Sequence, residues 1–447
     1  MSQDLDAVSA RVAAQRERLP EMYGQIDFTA LPERYTEDPK HDSALGVLAG
    51  RRAGRRAQLL ANRELVGRLR AYTMLGDQVG DAYACLIPRY GFRRLVDMLV
   101  EACDKGVDAV DGAPAELVAF IRDMETVPDW LDMPLAEEGA RAYRRDMALR
   151  APLILRGALF ATFINKYAAM PMAMTGALSH GKAAHRVLET ATFFTITTMP
   201  GALERHGPGF KAAAMVRLMH SMVRFHTLSR PGAWDTAVYG IPIPQVDQMP
   251  AGLIRPYRLA LHAVGQGRAD FTPAERAQVE LARYRCFLLG LPADLLPDTP
   301  QAMIDVLETR HATLRDGFDD ATCGALLRAT MAADLGRDPG LLGWLRSVAE
   351  PSVAKLFLIR NFLSGDRRRA ERIGVRVGPK DYAWAVVGVA ASVLPMLAYG
   401  LARRTPGLRS WADRWLLRKL TQLLSRYGHA EFTTDAAAYR PAVSPAK

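Results

Sequence analysis

Apolar residues return every three or four positions along most of the chain, as in the stretches Leu65 to Leu75, Phe92 to Ala102 and Ala115 to Met124. This spacing places them on one stripe of a 3.6-residue helix and predicts helices that bury that stripe. Alternation of apolar and polar residues never lasts beyond a few positions. The piece AVYGIPIP, Ala237 to Pro244, carries two prolines and is predicted as a loop. The pattern predicts an all-α fold. Helix breaks fall at VPDW (Val127 to Trp130), MPGALERHGPG (Met199 to Gly209), SRPGAW (Ser229 to Trp234) and LGLPADLLPDTP (Leu289 to Pro300). Residues 1–70 read as an N-terminal arm, 71–370 as a single large helical domain, and 371–447 as an apolar and basic C-terminal extension.

One segment departs from the amphipathic pattern. Tyr382 to Ala402 contains no charged residue and is bounded by Asp381 on one side and by Arg403 and Arg404 on the other. Its length suits a membrane span or a helix lying in a membrane surface. Pro395, two glycines and many alanines suit equally a helix enclosed in a large core.

With 447 residues, 49% hydrophobic and 24% charged, the chain has the balance of a folded globular protein. Its 58 Lys+Arg against 48 Asp+Glu give a formal charge of +10, which admits anionic partners. The basic runs at Arg51, Arg52, Arg55 and Arg56, at Arg367 to Arg369, and at Arg403 and Arg404 lack the interleaved aromatics of a single-strand binder, so nucleic acid is not an expected partner. The four cysteines show neither CxxC spacing nor the following His of covalent haem attachment. The first residues, MSQDLDAVSARVAAQRERLP, hold no apolar stretch of the secretory kind. A cytoplasmic protein is expected, peripheral at the inner face of the membrane where 382–402 makes contact with it.

Familiar catalytic signatures are absent: no GxSxG, no GxxxxGK[ST], no HExxH and no paired CxxC. What remains is the helix GFKAAAMVRLMHSMVRFHTLSR, Gly209 to Arg230. On it Arg217, His220 and Arg224 stand at i−3, i and i+4 and share a face. Exposed, they form a solvated basic stripe. Buried, the two cations require anions, which haem propionates would provide, and a neutral imidazole on a helix suits an axial iron ligand as well as a purely structural role. A second stretch, Ala183 to Thr198, stacks Arg186, Glu189, Thr190 and Phe193. This is either a surface ion pair or a polar patch beside a cofactor, with a donor, a hydroxyl and a carboxylate able to move a proton.

Five motifs occur in order: VPDWLD at Val127 to Asp132, Thr175 with Gly176, RxxET at Arg186 to Thr190, RLMHSMVR at Arg217 to Arg224, and YGIPIP at Tyr239 to Pro244. This order resembles the latex clearing protein and MpaB-like oxygenase family, over roughly residues 110 to 300. The resemblance implies a helical domain holding haem b with its iron on His220. It further implies that Arg224, Arg186 and Thr190 lie in the haem pocket. Arg217 and Arg224 are expected to hold propionates or groups that support the ligand. It implies oxidative cleavage, with O2, of carbon–carbon double bonds in polyisoprene or a farnesyl side chain. One departure redirects the substrate. Glu189 stands where the rubber-cleaving branch carries Lys, and Met170 stands about where that branch has its base. Glu189 thereby becomes the candidate proton-transfer group, and the expected substrate is a hydrophobic unsaturated lipid or isoprenoid other than rubber. A haem-binding carrier or sensor, and a membrane-associated helical protein without cofactor, are the alternatives. His180, His185, His206 and His226 read as surface, capping or structural residues, and the methionines of Pro171 to Met174 together with Met199, Met215, Met219 and Met222 read as core filler.

Overall fold

A computed structural model describes residues 2–40, 54–175, 182–336 and 340–427. Arg51, Arg52, Gly176, His180 and the polar tail beyond Tyr427 lie outside the described residues. The main helices are α1 (Ser2–Arg18), α2 (Arg63–Tyr72), α3 (Gln78–Ala84), α4 (Phe92–Lys105), α5 (Ala115–Glu125), α6 (Met133–Leu149), α7 (Ala151–Phe163) and α8 (Lys166–Met174). They continue with α9 (Lys182–Ile196), α10 (Pro208–Leu228), α11 (Gln245–Gly265), α12 (Pro273–Leu288), α13 (Pro300–Thr313), α14 (Gly340–Phe362), α15 (Pro379–Arg404) and α16 (Arg409–Tyr427). Among the described residues there is no strand, only an isolated bridge between Tyr35 and Leu314. The all-α expectation holds.

Helix starts follow local chemistry. Asp132 of the VPDWLD motif caps α6 by accepting the Leu135 N–H, while Trp130 lies under the Arg283 guanidinium at 4.0 Å and edge-on to Phe287. Thr272 and Glu275 form a reciprocal capping box at the start of α12. Helix α12 then runs close against α6. The two backbones approach so nearly at Gly139 that a Cβ there would stand 2.0 Å from the Ala277 carbonyl oxygen, so only glycine fits.

Two apolar clusters organise the interior. The larger joins Val8, Val12 and Tyr23 of the N-terminal arm to α4, α5, α10, α11 and α12, and the smaller gathers Phe160, Leu358 and Phe362 where α7 packs on α14. Arg55 is paired with Glu308, and Arg56 donates to the Ala312 carbonyl, so this part of the basic run is spent on α13. Helix α15 is not enclosed in the core. It buries Ala385, Gly388, Ala391, Ser392 and Tyr399 against its neighbours and leaves Val386, Val389, Val393, Leu394, Leu397 and Leu401 exposed. The four cysteines are free thiols. Burial pushes Cys85, Cys103 and Cys286 up to about 12 and Cys323 up to about 11.

Candidate functional site

Helix α10 is buried on almost every side. From Ala212 to Thr227 only Val216 and His220, one turn apart, keep accessible surface. These two positions are where α10 is packed least tightly, and neither lines the large cavity of the molecule.

The neighbouring arginines are occupied. Asp77, which also caps α3, takes two hydrogen bonds from Arg217, and Asp123 takes a third at 2.7 Å. The Phe120 ring lies beneath the guanidinium at 5.1 Å. Gly290, at φ +85°, closes over this pair. A Cβ there would meet Arg217 Nε at 2.7 Å, so both conformation and space demand glycine. Arg224 donates to Asp81 at 2.7 Å, to Ser221 Oγ at 2.9 Å and to the Ile243 carbonyl at 2.9 Å, and Tyr23 donates its hydroxyl to Asp81. The anions that burial demands are thus protein carboxylates from α3 and α5. Burial lifts Asp77, but the Arg217 and Arg224 charges outweigh it and hold the carboxyl below the usual range; at Asp81 burial wins and the shift is upward.

His220 differs from its neighbours in being neutral. Burial, then the Arg224 charge and more weakly that of Arg186, push it down to about 4. Its tautomer is fixed by a chain of hydrogen bonds that can be followed to a group without choice. The Gly76 carbonyl can only accept, so Gln245 presents its amide NH2 there at 3.1 Å. The Gln245 oxygen then accepts from Gln248 Nε2 at 3.1 Å, and the Gln248 oxygen is left to accept from His220 Nδ1–H at 3.1 Å. Nε2 keeps its lone pair and has no protein partner among the described residues. Arg224 also serves this relay. By holding the carbonyl of Ile243, a β-branched residue at φ 48°, it fixes the YGIPIP loop immediately before Gln245.

Helix α9 holds the second stretch of predicted site residues. Its accessible positions there are Arg186, Thr190 and Phe194 at i, i+4 and i+8; Phe193, expected on this face, belongs to the main core. Glu189 accepts from Arg186 at 3.3 Å and lies 3.0 Å from His185 Nε2, and the Thr190 hydroxyl donates to the Arg186 carbonyl at 3.0 Å. Arg186, Glu189 and Thr190 are therefore brought together on α9, which packs against α10.

Beyond Thr190 opens a cavity of about 720 Å³ between α6, α7, α11, α12 and α14. Ile154, Leu155, Leu159, Ile254, Phe357 and Phe362 make its apolar walls. Of the six predicted site residues only Thr190 borders it.

The remaining histidines and methionines have structural duties. His206 Nδ1 lies 3.0 Å from the Cys103 carbonyl near the end of α4, and His226 stacks edge-on to Phe225. Met215, Met219 and Met222 sit in the main core, and Met170 packs on the smaller cluster. Sequence reasoning missed Gln245, Gln248, Asp77, Asp81 and Asp123. The one available signal was two glutamines at i and i+3 directly after the YGIPIP loop.

Residues 144–426 match the family model described as ER-bound oxygenase mpaB/B′/rubber oxygenase, catalytic domain. The fold is similar to a solved structure of latex clearing protein in the closed state, with a TM-score of 0.53 and 18% identity, covering 78% of this chain and 91% of that one. No curated protein sequence matches the chain significantly.

Proposed function

Because this chain belongs to the mpaB/B′ and rubber oxygenase family and is therefore an oxygenase, we propose that it works with haem b ligated by His220 on a hydrophobic unsaturated substrate of isoprenoid or lipid type. The observation that carries the reading is His220 itself: a neutral imidazole with a free Nε2 lone pair, on the one accessible turn of an otherwise buried helix. That donor would hold a haem iron, and the hydrogen-bonded Nδ1 is the support that imidazole ligands usually have.

The chemistry haem supplies when bound is activation of dioxygen at iron. The chain's own residues do the rest. Gln248 and Gln245 orient the imidazole and hold the proton on Nδ1. Arg217 and Arg224, neutralised by Asp77, Asp123 and Asp81, brace α10 and the loop into α11 rather than offering free charges. Glu189, clamped between Arg186 and His185, holds or passes a proton at its carboxylate oxygens. Thr190 spends its hydroxyl hydrogen on a backbone carbonyl and keeps an acceptor oxygen at the edge of the apolar cavity, which takes the substrate and excludes water.

The exposed face of α15 is read as a membrane-surface contact. It is continued by Leu341, Leu342 and Trp344 of α14, with Trp344 edge-on to Trp384 at 6.5 Å. A greasy substrate would then reach the cavity from lipid rather than through water.

The test is the absorption spectrum of the purified protein. A Soret band that disappears in His220→Ala is expected, and colourless protein from haem-replete cells overturns the reading. Oxygen consumption with candidate isoprenoids then measures turnover.

A further inference from the structure

Three acids line the large cavity, Asp146, Asp247 and Asp316, and Asp247 is taken by Arg34 and Arg310. Arg255 is paired with Asp146, while Arg145 and Arg150 lie 3.5 and 3.7 Å from it. Arg150, Arg255, Arg258 and Arg285 all line the cavity. Arg285 is 2% exposed, and its Nε has no hydrogen-bond partner. It rests on the rings of Tyr143 at 5.0 Å and Phe194 at 5.3 Å, and it hydrogen-bonds the Tyr143 hydroxyl and reaches Thr197 Oγ1 at 3.4 Å. Arg255 lies over Tyr143 too, at 4.3 Å, which joins Arg285 to the Asp146 group. Arg258 meets only like charge: burial first, then Arg150, Arg255 and Arg360, lower its proton affinity, and among the described residues no carboxylate reaches it.

Arg285 is buried with an unpartnered Nε, which is costly, and together with the partly exposed Arg150, Arg255 and Arg258 it outnumbers Asp146, a surplus that an anion would relieve. Directly beside this surplus run the apolar walls of Ile154, Leu155, Leu159 and Ile254. We infer that the cavity binds a single-chain amphiphile with an anionic head, a carboxylate or phosphate held by Arg150, Arg255, Arg258 and Arg285, and its apolar chain laid along α7 and α11 towards Thr190. This rests on the proposed function for its consequence, since the bond presented at Thr190 would lie a chain length from the head; the binding itself does not need haem. The arginines act as a ruler, and the chain length decides which carbon arrives at the oxygenase site.

Titration calorimetry on the full-length haem-loaded protein tests the inference, with oleate, oleyl phosphate and oleyl alcohol as probes below their aggregation limits. Oleate and oleyl phosphate are expected to bind roughly tenfold or more tightly than oleyl alcohol, the worth of one charge-assisted hydrogen bond. Arg258→Glu, at a partly exposed position of α11, is expected to erase that preference and leave both oleyl alcohol within about twofold and the melting temperature unchanged. Equal affinity for oleate and oleyl alcohol overturns the inference. So does an Arg258→Glu protein that loses its Soret band while keeping oleate, because the arginines would then be holding propionates. A loss confined to flotation with phosphatidylglycerol vesicles, with monomer affinities unchanged, also overturns it and makes the arginines a bilayer contact. His220→Ala separates the two readings: head-group selectivity kept in that colourless variant supports the cavity assignment whatever becomes of haem, and selectivity lost with the haem overturns it.

Discussion

At His220 burial and the Arg224 charge keep the ring neutral, while its tautomer is set by uncharged groups. A carboxylate on Nδ1 would raise the basicity of the ring, whereas the amide of Gln248 gives orientation with little added charge. Replacing Gln248 or Gln245 by Leu is expected to release the Nδ1 proton preference and to weaken haem affinity by about 10- to 100-fold. Imidazole ¹⁵N shifts of the apo-protein and haem titration report the two effects, and wild-type shifts in both variants would remove the relay from the account. Asp81 gives the matching stability experiment. Its loss in Asp81→Ala strands Arg224 at the centre of the molecule, so urea unfolding should register a cost of about 3–5 kcal/mol. The triplet Arg217, His220 and Arg224 was legible in the sequence because helical spacing alone puts it on one face. The acids that answer it were not. Asp77 and Asp81 look like the first turn of any short helix, and nothing local shows that this turn lies against residues 217 to 224.

Helices were the most legible features, since a 3.6-residue period and Pro/Gly breaks are local signals that packing reinforces. The cap of α12 shows how a local signal becomes stability. Its Glu275 is held at about 2, first by Arg268 and then by Thr272, against an ordinary 4.5. The folded value lies below the unfolded one, so the contribution is complete above about pH 4.5 and is lost as pH falls towards 2. Glu275→Gln should therefore lower stability by about 1 kcal/mol at pH 7 and by nothing near pH 2. Thermal melts along a pH series measure the difference, and a pH-independent gap would assign the effect to packing. Helix α15 was legible as an apolar helix but not in its asymmetry. Alanines and glycines occur on both faces, and only Gly388, where a Cβ would come within 2.8 Å of Ala349 Cβ, reveals which side meets α14.

On the scale of the molecule, the cavity is the feature that sequence could not show. Its arginines come from the end of α6, from α11 and from α12, and they meet only after more than a hundred residues of chain have folded between them. The exposed face of α15 belongs to this scale too, because its meaning depends on what lies opposite. Replacing Val386, Val389, Val393 and Leu397 by Ser should abolish flotation with anionic liposomes and leave the melting temperature unchanged; retained flotation would remove α15 from the membrane reading. The four thiols acquire their importance here. An oxygenase is exposed to the partly reduced oxygen species that leak from its own chemistry, and thiolate is the form they attack. With Cys85, Cys103 and Cys286 held at about 12 and Cys323 at about 11, almost no thiolate exists in the folded chain at neutral pH. Iodoacetamide should label all four in denaturant and almost none in the native protein, and rapid native labelling would break this account. Cys286 lies so close to the cavity-lining Gly252 that a Cβ there would stand 2.2 Å from its sulfur. The packing that shapes the cavity thus also keeps this thiol covered and protonated.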